Sequence, residues 1–194
     1  MSPILDSIGS VKAYGWGSLV SVPTSFESIA TYSVGSGGSS SIEFTSIPAT
    51  YSHLQVRVIA RGTNASSSIY QKIQFNSDTS SVYADHYLLG DGASTSAGAS
   101  VNAAFIGVGS TTAANATASI FGSIIIDILD YANTNKFKTI RNLEGFDVNG
   151  SGGMVALTSG LWRSTSAVTS IKFTPSAGNF AQYSSFALYG IPGA

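Results

Sequence analysis

The chain contains no cysteine and has few charged residues. None of its 194 residues is cysteine, so disulfide bonds and thiolate metal sites are excluded. Charged residues make up 10% of the chain, against about 25% in a typical soluble domain. The nine basic and ten acidic residues are dispersed and give a net charge of -1. Because binding to nucleic acid needs concentrated positive charge, this composition predicts no nucleic-acid partner.

The sequence also has little that would direct it to a membrane. The first ten residues, M-S-P-I-L-D-S-I-G-S, have neither a basic region nor a continuous apolar stretch, so we expect no signal peptide. The longest apolar stretch, residues 124–129, is interrupted by Asp127 and is much shorter than a membrane span. We therefore expect a protein that is made in a cytoplasm and has no membrane partner.

Helical periodicity does not persist anywhere in the chain, whereas the alternation typical of β-strands is frequent. In H-L-Q-V-R-V-I-A-R, residues 53–61, the apolar side chains at 54, 56 and 58 share one face of a strand. Similar segments alternate with turn signals such as G-D-G-A and N-G-S-G-G. Further strands are predicted at residues 41–45, 69–76, 82–89, 101–108, 118–129, 137–148, 154–163, 168–174 and 180–191.

Nine or ten short strands at this spacing predict an all-β fold. We expect an antiparallel two-sheet sandwich of the jelly-roll type, with a closed barrel as the alternative. Residues 1–30 are weakly patterned, and the Gly/Ser-rich residues 33–41 are typical of a connector or a long hairpin turn. We therefore divide the chain into an extended N-terminal arm, residues 1–30, and a β-sandwich domain, residues 31–194.

Histidines and metal-binding loops give no catalytic or metal site. His53 and His86 are isolated in the sequence, and serine is so abundant that a Ser-His-Asp arrangement is uninformative. The loops N-S-D-T and D-G-A-S contain oxygen ligands but lack the spacing of a calcium loop. We predict no bound metal and no cofactor.

Two pairs of carboxylates could in principle act together in a glycosidase. Asp127 and Asp130 lie at one strand end, and Glu144 and Asp147 lie near the following turn. Charged residues at such places more simply form turns or discourage wrong pairing of strand edges. We therefore predict no catalytic residues and a protein that is not an enzyme.

Two adjacent residues are candidates for a contact with carbohydrate. Trp162, with Arg163 beside it, could stack on a sugar ring if it were exposed on the sandwich. The alternative is that this tryptophan belongs to the core or to an interface.

Four segments of the chain carry a resemblance to known proteins. They are I-P-A-T-Y-S-H-L-Q-V-R-V-I-A-R from Ile47, I-Q-F-N-S-D-T-S-S-V-Y from Ile73, D-Y-A-N-T-N-K-F-K-T from Asp130 and Y-S-S-F-A-L-Y-G-I from Tyr183. With these segments, roughly residues 40–191 resemble a family of small β-sandwich proteins of tailed bacteriophages, especially phages of aquatic bacteria, that are virion structural proteins.

This resemblance implies a non-enzymatic component of the virion and supplies no catalytic residues. The expected function is that of a capsid decoration (cement) protein, which binds phage capsid protein or other virion proteins and stabilises the shell as a homo-oligomer, with a trimer favoured. The alternative is a tail, baseplate or fibre module that binds carbohydrate on the host surface.

The N-terminal arm is the part least covered by the resemblance, and its residues indicate a role in assembly. The arm has few charges and contains an aromatic pair set between glycines. Each large apolar side chain laid on a neighbouring surface would contribute about 1.5–3 kcal/mol. The alternative is that residues 11–22 form an edge strand on their own sandwich. The predicted assembly contacts of the arm are Ile4, Leu5, Ile8, Tyr14 and Trp16.

Overall fold

The computed structural model describes residues 25–148 and 152–193. Within these residues the chain forms twelve β-strands and no helix. The strands are β1 (Glu27–Ser33), β2 (Ile42–Phe44), β3 (His53–Ala60), β4 (Ser68–Phe75), β5 (Tyr83–Gly90), β6 (Thr95–Ala103), β7 (Ile106–Thr112), β8 (Gly122–Leu129), β9 (Lys138–Asp147), β10 (Gly153–Trp162), β11 (Ile171–Pro175) and β12 (Ser185–Ile191).

The strands form two antiparallel sheets. The large sheet has eight strands in the order β1-β12-β3-β8-β9-β10-β5-β6, and the small sheet has four in the order β2-β11-β4-β7. This arrangement confirms the predicted all-β, two-sheet sandwich. The jelly-roll connectivity stays a prediction.

Alternation along the strands places the core between the two sheets. In β3 the side chains of Leu54, Val56 and Val58 are buried, and Phe75 and Phe173 face them from the small sheet. Side chains from the two inner faces interdigitate in this way in sandwiches generally. The intervening positions of the large sheet point away from the core and form its outer face.

The two sheets differ in width, and this difference shapes the molecule. β7, at one end of the small sheet, packs against β8, β9, β10 and β5 of the large sheet. β6 is the last strand of the large sheet and pairs only with β5 among the described strands. The inner face of the large sheet therefore extends past β7 and leaves a cleft between that strand and β6.

The structure confirms most predicted strands and corrects one. Residues 101–108 are not a single strand, because β6 ends at Ala103 and β7 begins at Ile106 after a short turn. Within β6, Asn102 has a left-handed φ of 53° at the place where the pairing with β5 shifts register. Two strands, β1 and β6, were not predicted.

The arm lies mostly beyond the part of the chain that the structure describes. Its predicted contacts Ile4, Leu5, Ile8, Tyr14 and Trp16 are all outside the described residues. Residues 27–30, which we assigned to the arm, belong to β1 and pair with β12.

Candidate functional site

Four apolar side chains form a continuous row on the outer face of the large sheet. Ile125 of β8 is paired with Leu143 of β9, Leu143 with Leu157 of β10, and Leu157 with Leu88 of β5. Directly paired residues of antiparallel strands point to the same face, with their Cβ atoms about 5 Å apart. We call these four residues the apolar row.

The apolar row is exposed although it crosses the middle of the sheet. The exposed fractions are 56% for Leu88, 43% for Ile125, 50% for Leu143 and 57% for Leu157. Single exposed apolar residues are ordinary, but contiguous apolar patches mark contact surfaces. Two more outward apolar residues, Ile59 and Val155, extend the exposed surface toward the next row.

A polar row borders the apolar row on its other side. Asp127 is paired with both Gln55 and Arg141 across β3, β8 and β9. Gln55 Nε2 donates to Asp127 Oδ1 at 2.9 Å, and Arg141 Nε donates to Asp127 Oδ2 at 3.2 Å. A shallow groove of about 700 Å³ runs along the boundary between the two rows. The outer face therefore offers an apolar surface with a hydrogen-bonded polar margin.

The cleft beside β7, which we call the edge cleft, is a second candidate. It has a volume of about 420 Å³. Its floor is the inner face of β5, β6, β9 and β10, and its wall is β7 together with two aromatic side chains, Tyr70 and Phe105. A cleft of this size falls within the range of small-molecule sites in proteins.

Two buried carboxylates connect the floor of the edge cleft to β7. Asp85 Oδ2 accepts a hydrogen bond from the backbone N–H of Gly107 at 3.0 Å. Glu144 Oε1 accepts one from the backbone N–H of Ser110 at 3.2 Å, and Glu144 Oε2 accepts one from Asn142 Nδ2 at 2.7 Å. Both carboxylates thus satisfy N–H groups on the side of β7 that faces away from β4.

Burial dominates the ionisation of Glu144. It raises the pKa of the Glu144 carboxyl to about 7, against the opposing effect of the hydrogen bonds from Ser110 and Asn142. The Glu144 carboxyl therefore keeps its proton to a higher pH than an exposed carboxyl does. Gly109 allows this contact, because its φ is +113° and a Cβ there would lie 2.1 Å from Glu144 Oε2.

Aromatic rings give the edge cleft an apolar side. The rings of Tyr70 and Phe105 are stacked, with centroids 6.4 Å apart and an interplanar angle of 27°. Lys72 Nζ lies 4.8 Å from the centroid of Phe105. Tyr87, which is 41% exposed, lines the floor and lies against Gly98 of the neighbouring strand. Rings beside carboxylates suit a ligand with both apolar faces and hydroxyl donors.

Trp162 is a core residue, and its proposed stacking on sugar is wrong for this structure. Only 2% of Trp162 is exposed, and its ring packs between Phe75 and Tyr83 at centroid distances of 5.6 and 6.3 Å. Its Nε1 donates to Asp78 Oδ2 at 2.9 Å. The next side chain points outward, where Arg163 Nη2 donates to Ser81 O and Asn102 Oδ1. Arg163 is thus at the surface, but the tryptophan ring beside it in the sequence is not.

The remaining candidates are dispersed. His53 Nδ1 accepts a hydrogen bond from the backbone N–H of Asp130 at 3.0 Å, which is a structural contact at a strand end. His86 is exposed on the outer face of β5. Asp130 forms an ion pair with Lys136, whereas Asp127 belongs to the polar row. In residues 25–148 and 152–193 no group of three or more acidic or histidine side chains could hold a metal ion.

Both candidate surfaces combine residues that are far apart in the sequence, so neither was predicted. The alternation of β8, β9, β10 and β5 could have shown which side chains point outward. The register that joins those side chains into one row could not be obtained from a single sequence. The sequence shows the carboxylate of Glu144 but not its partners, Ser110 in β7 and Asn142 in β9.

Comparison with protein families, curated proteins and solved structures finds no match to this chain. Within the described residues, no helix is long and apolar enough to cross a membrane. The two surfaces, together with the sequence resemblance, are therefore the basis for a functional proposal.

Proposed function

We propose that this protein is a non-enzymatic structural component of a tailed-phage virion, a decoration protein that binds the capsid shell as an oligomer. The observation that carries this proposal is the apolar row, in which Leu88, Ile125, Leu143 and Leu157 lie exposed on four neighbouring strands. A surface of this kind costs free energy while it faces water and is stabilised when a partner covers it.

The resemblance to virion proteins agrees with this reading of the surface. The similar segments from Ile47, Ile73 and Tyr183 include all of β3, part of β4 and all of β12, which are core strands of the sandwich. These segments belong to the scaffold that the resemblance covers, whereas the apolar row is the proposed contact surface. Symmetric binding of a trimer would multiply weak contacts through avidity.

The test is incorporation of a row variant into particles. Leu143→Asp places a charge at the centre of the apolar row, where Leu143 is 50% exposed and contributes little to the core. We expect particles assembled with this variant to contain at least about tenfold less of the protein than particles with the unchanged chain. The variant should keep its melting temperature within a few degrees.

A matched control is Val101→Asp. Val101 is 70% exposed on β6 and lies outside the apolar row, so the same change of charge should leave incorporation unaffected. Equal incorporation of both variants and the unchanged chain would remove the basis of the proposal.

The second candidate function is binding of host-surface carbohydrate in the edge cleft. It is favoured by the exposed Tyr70 and Tyr87 rings beside the carboxylates of Asp85 and Glu144. Aromatic faces pack against the apolar faces of sugar rings, and carboxylates accept hydrogen bonds from hydroxyl groups. This site replaces Trp162, which is buried.

Binding to an array of bacterial surface glycans tests this second candidate. Tyr87→Ala should abolish any signal, while Phe137→Ala, which removes an exposed ring outside the cleft, should not. Absence of binding to every host polysaccharide would count against a carbohydrate function.

A further inference from the structure

We propose that the apolar row is the docking site for residues 1–24 of a neighbouring copy of this chain. This inference rests on the proposed function, since it names the partner of the same surface in an oligomer. It makes residues 1–24 the segment that joins one copy to the next.

The size of the exposed surface fits a segment better than a whole face. The row together with Ile59 and Val155 exposes on the order of a few hundred Å² of apolar surface, since each side chain is 43–57% exposed. A stable contact between two folded faces buries about 800 Å² on each partner. The row alone is therefore small for a face-to-face dimer.

The dimensions of the row also fit an extended segment. Four neighbouring strands span about 14 Å between the first and the last, because strands in a sheet lie about 4.8 Å apart. A segment crossing that distance needs about five extended residues. Polar groups of such a segment would meet the margin formed by Gln55, Asp127 and Arg141.

Residues 1–24 have the composition that such a site requires. They contain Ile4, Leu5, Ile8, Tyr14 and Trp16 and only two charged residues, Asp6 and Lys12. Fully extended, 24 residues reach about 80 Å, which is several times the width of the row. The segment is thus long enough to reach a second molecule.

The point at which the segment joins the domain lies on the outer face of the large sheet. The Phe26 ring packs edge-on against Tyr189 with a centroid distance of 6.4 Å. Arg57 Cζ lies 5.1 Å from the centroid of Phe26 and 5.0 Å from that of Tyr189. Phe26, just after the segment, therefore lies on the face that carries the row, at the edge formed by β1.

The direction of β1 favours the row of a neighbour over the row of the same chain. Glu27 of β1 and Leu54 of β3 pair with the same residue of β12 and so lie at the same height along the sheet. In the same way Thr31 lies at the height of Arg57, which pairs with Ile125 of the apolar row. Followed back from Thr31 toward Glu27, the chain moves away from its own row. To cover that row, the segment would have to turn back along the sheet.

A contact between a segment of one copy and a face of the next joins two different surfaces. Such heterologous contacts close into rings when the rotation between copies is suitable. A ring of three copies is the closed form that matches the trimer of the proposed function. Each copy would then donate one segment and receive one.

The absence of cysteine allows a direct test with the full chain. Ala13→Cys places a thiol next to Tyr14 in the segment, and Ser159→Cys places one on the outer face two residues from Leu157 in β10. The two single-cysteine proteins are mixed and treated with a short bis-maleimide. We expect a covalent product of two chains, at least about tenfold more abundant than in a mixture of Ala13→Cys with Lys172→Cys.

Adding Leu143→Asp to the Ser159→Cys chain should reduce this product to the level of the Lys172→Cys control. Two results would overturn the inference. One is a double variant, Ala13→Cys with Ser159→Cys, that cross-links only within a single chain, since the segment would then cover its own row. The other is no cross-link above the control.

These results are separable from the proposed function. If the chains with an unchanged row gave no cross-link above the control, but Leu143→Asp was still lost from particles, the row would bind capsid protein instead of the segment. Cross-linking in a protein that is absent from particles would support the inference and contradict the proposed function.

Discussion

Glu144 Oε1 accepts a hydrogen bond from the backbone N–H of Ser110 at 3.2 Å, and this bond ties the large sheet to the edge strand of the small one. Glu144 is only 6% exposed. A carboxyl so buried favours its neutral form, and burial accordingly raises its pKa to about 7 from 4.5. The same residue that joins the sheets therefore makes their stability depend on pH.

We expect Glu144→Gln to stabilise the protein at pH 8 and to have little effect at pH 5. The folded-state pKa of Glu144 is raised. Its contribution to the free energy of unfolding is therefore fully present below pH 4.5 and is lost as pH rises toward 7. The loss amounts to up to about 3 kcal/mol. The glutamine Nε2 could also donate to Asn142 Oδ1, which is buried without a hydrogen-bond partner.

Unfolding by urea at the two pH values measures this effect. Glu43→Gln, on β2 and away from the cleft, controls for the loss of one negative charge. If Glu144→Gln changed the unfolding free energy equally at pH 5 and pH 8, the raised pKa would be wrong.

We expect Gly109→Ala to destabilise the protein by at least about 2 kcal/mol, because the added methyl group would collide with Glu144 Oε2 and the residue has a φ of +113°. Gly37→Ala is the matched control, since nothing lies within 4 Å of a Cβ at that position. Thermal unfolding of the two variants gives the comparison. Similar melting temperatures would show that β7 can shift to make room.

We expect Trp162→Ala to cost about 3–5 kcal/mol of stability and Trp162→Phe about 1–2 kcal/mol. The first change opens a cavity beside Phe75 and Tyr83, and the second mainly removes the hydrogen bond to Asp78. Arg163→Ala, at the exposed neighbouring position, should cost less than either. Denaturant unfolding measures all three, and a neutral Trp162→Ala would contradict its place in the core.

We expect Lys138→Met to destabilise the protein by about 1–3 kcal/mol. Lys138 is fully buried, and its Nζ donates to three backbone carbonyl oxygens, those of Asn133, Lys136 and Thr165. Burial lowers the pKa of this lysine. Methionine would fill the space but leave three acceptors without their donor.

Lys136→Met provides the control for Lys138→Met. Lys136 is largely exposed and forms an ion pair with Asp130 at 2.6 Å, so its replacement should change stability by no more than about 1 kcal/mol. Equal effects of the two substitutions in urea unfolding would mean that the buried ammonium group contributes nothing specific.

The sequence was sufficient to predict the strands whose faces differ strongly in polarity. The alternation of Leu54, Val56 and Val58 with Gln55 and Arg57 predicted β3, because one face of that strand is core and the other is solvent. It also predicted the class of the fold. Strands of this kind can be predicted from their local sequence alone.

The sequence was insufficient where pairing, not local pattern, forms the strand. β6, with the sequence T-S-A-G-A-S-V-N-A, has small side chains and little burial, and it is extended because it pairs with β5. The short connection between β6 and β7 was missed because its residues, Ala104 and Phe105, carry no turn signal.

The apolar row could not be predicted for a related reason. The outward positions of Ile125, Leu143 and Leu157 follow from alternation, but their alignment depends on register across three strands. The burial of Trp162 depends on where β10 crosses the core. Local alternation thus shows which side chains point outward, whereas strand register and packing decide which of them form one row and that Trp162 is buried.

The most direct test of the central claim is the copy number of this protein in purified virions, measured by quantitative mass spectrometry against the major capsid protein. A decoration protein that covers the shell as an oligomer should be present in hundreds of copies. A value of about a dozen or fewer copies, as expected for a tail or fibre component with few symmetric positions, would contradict the claim.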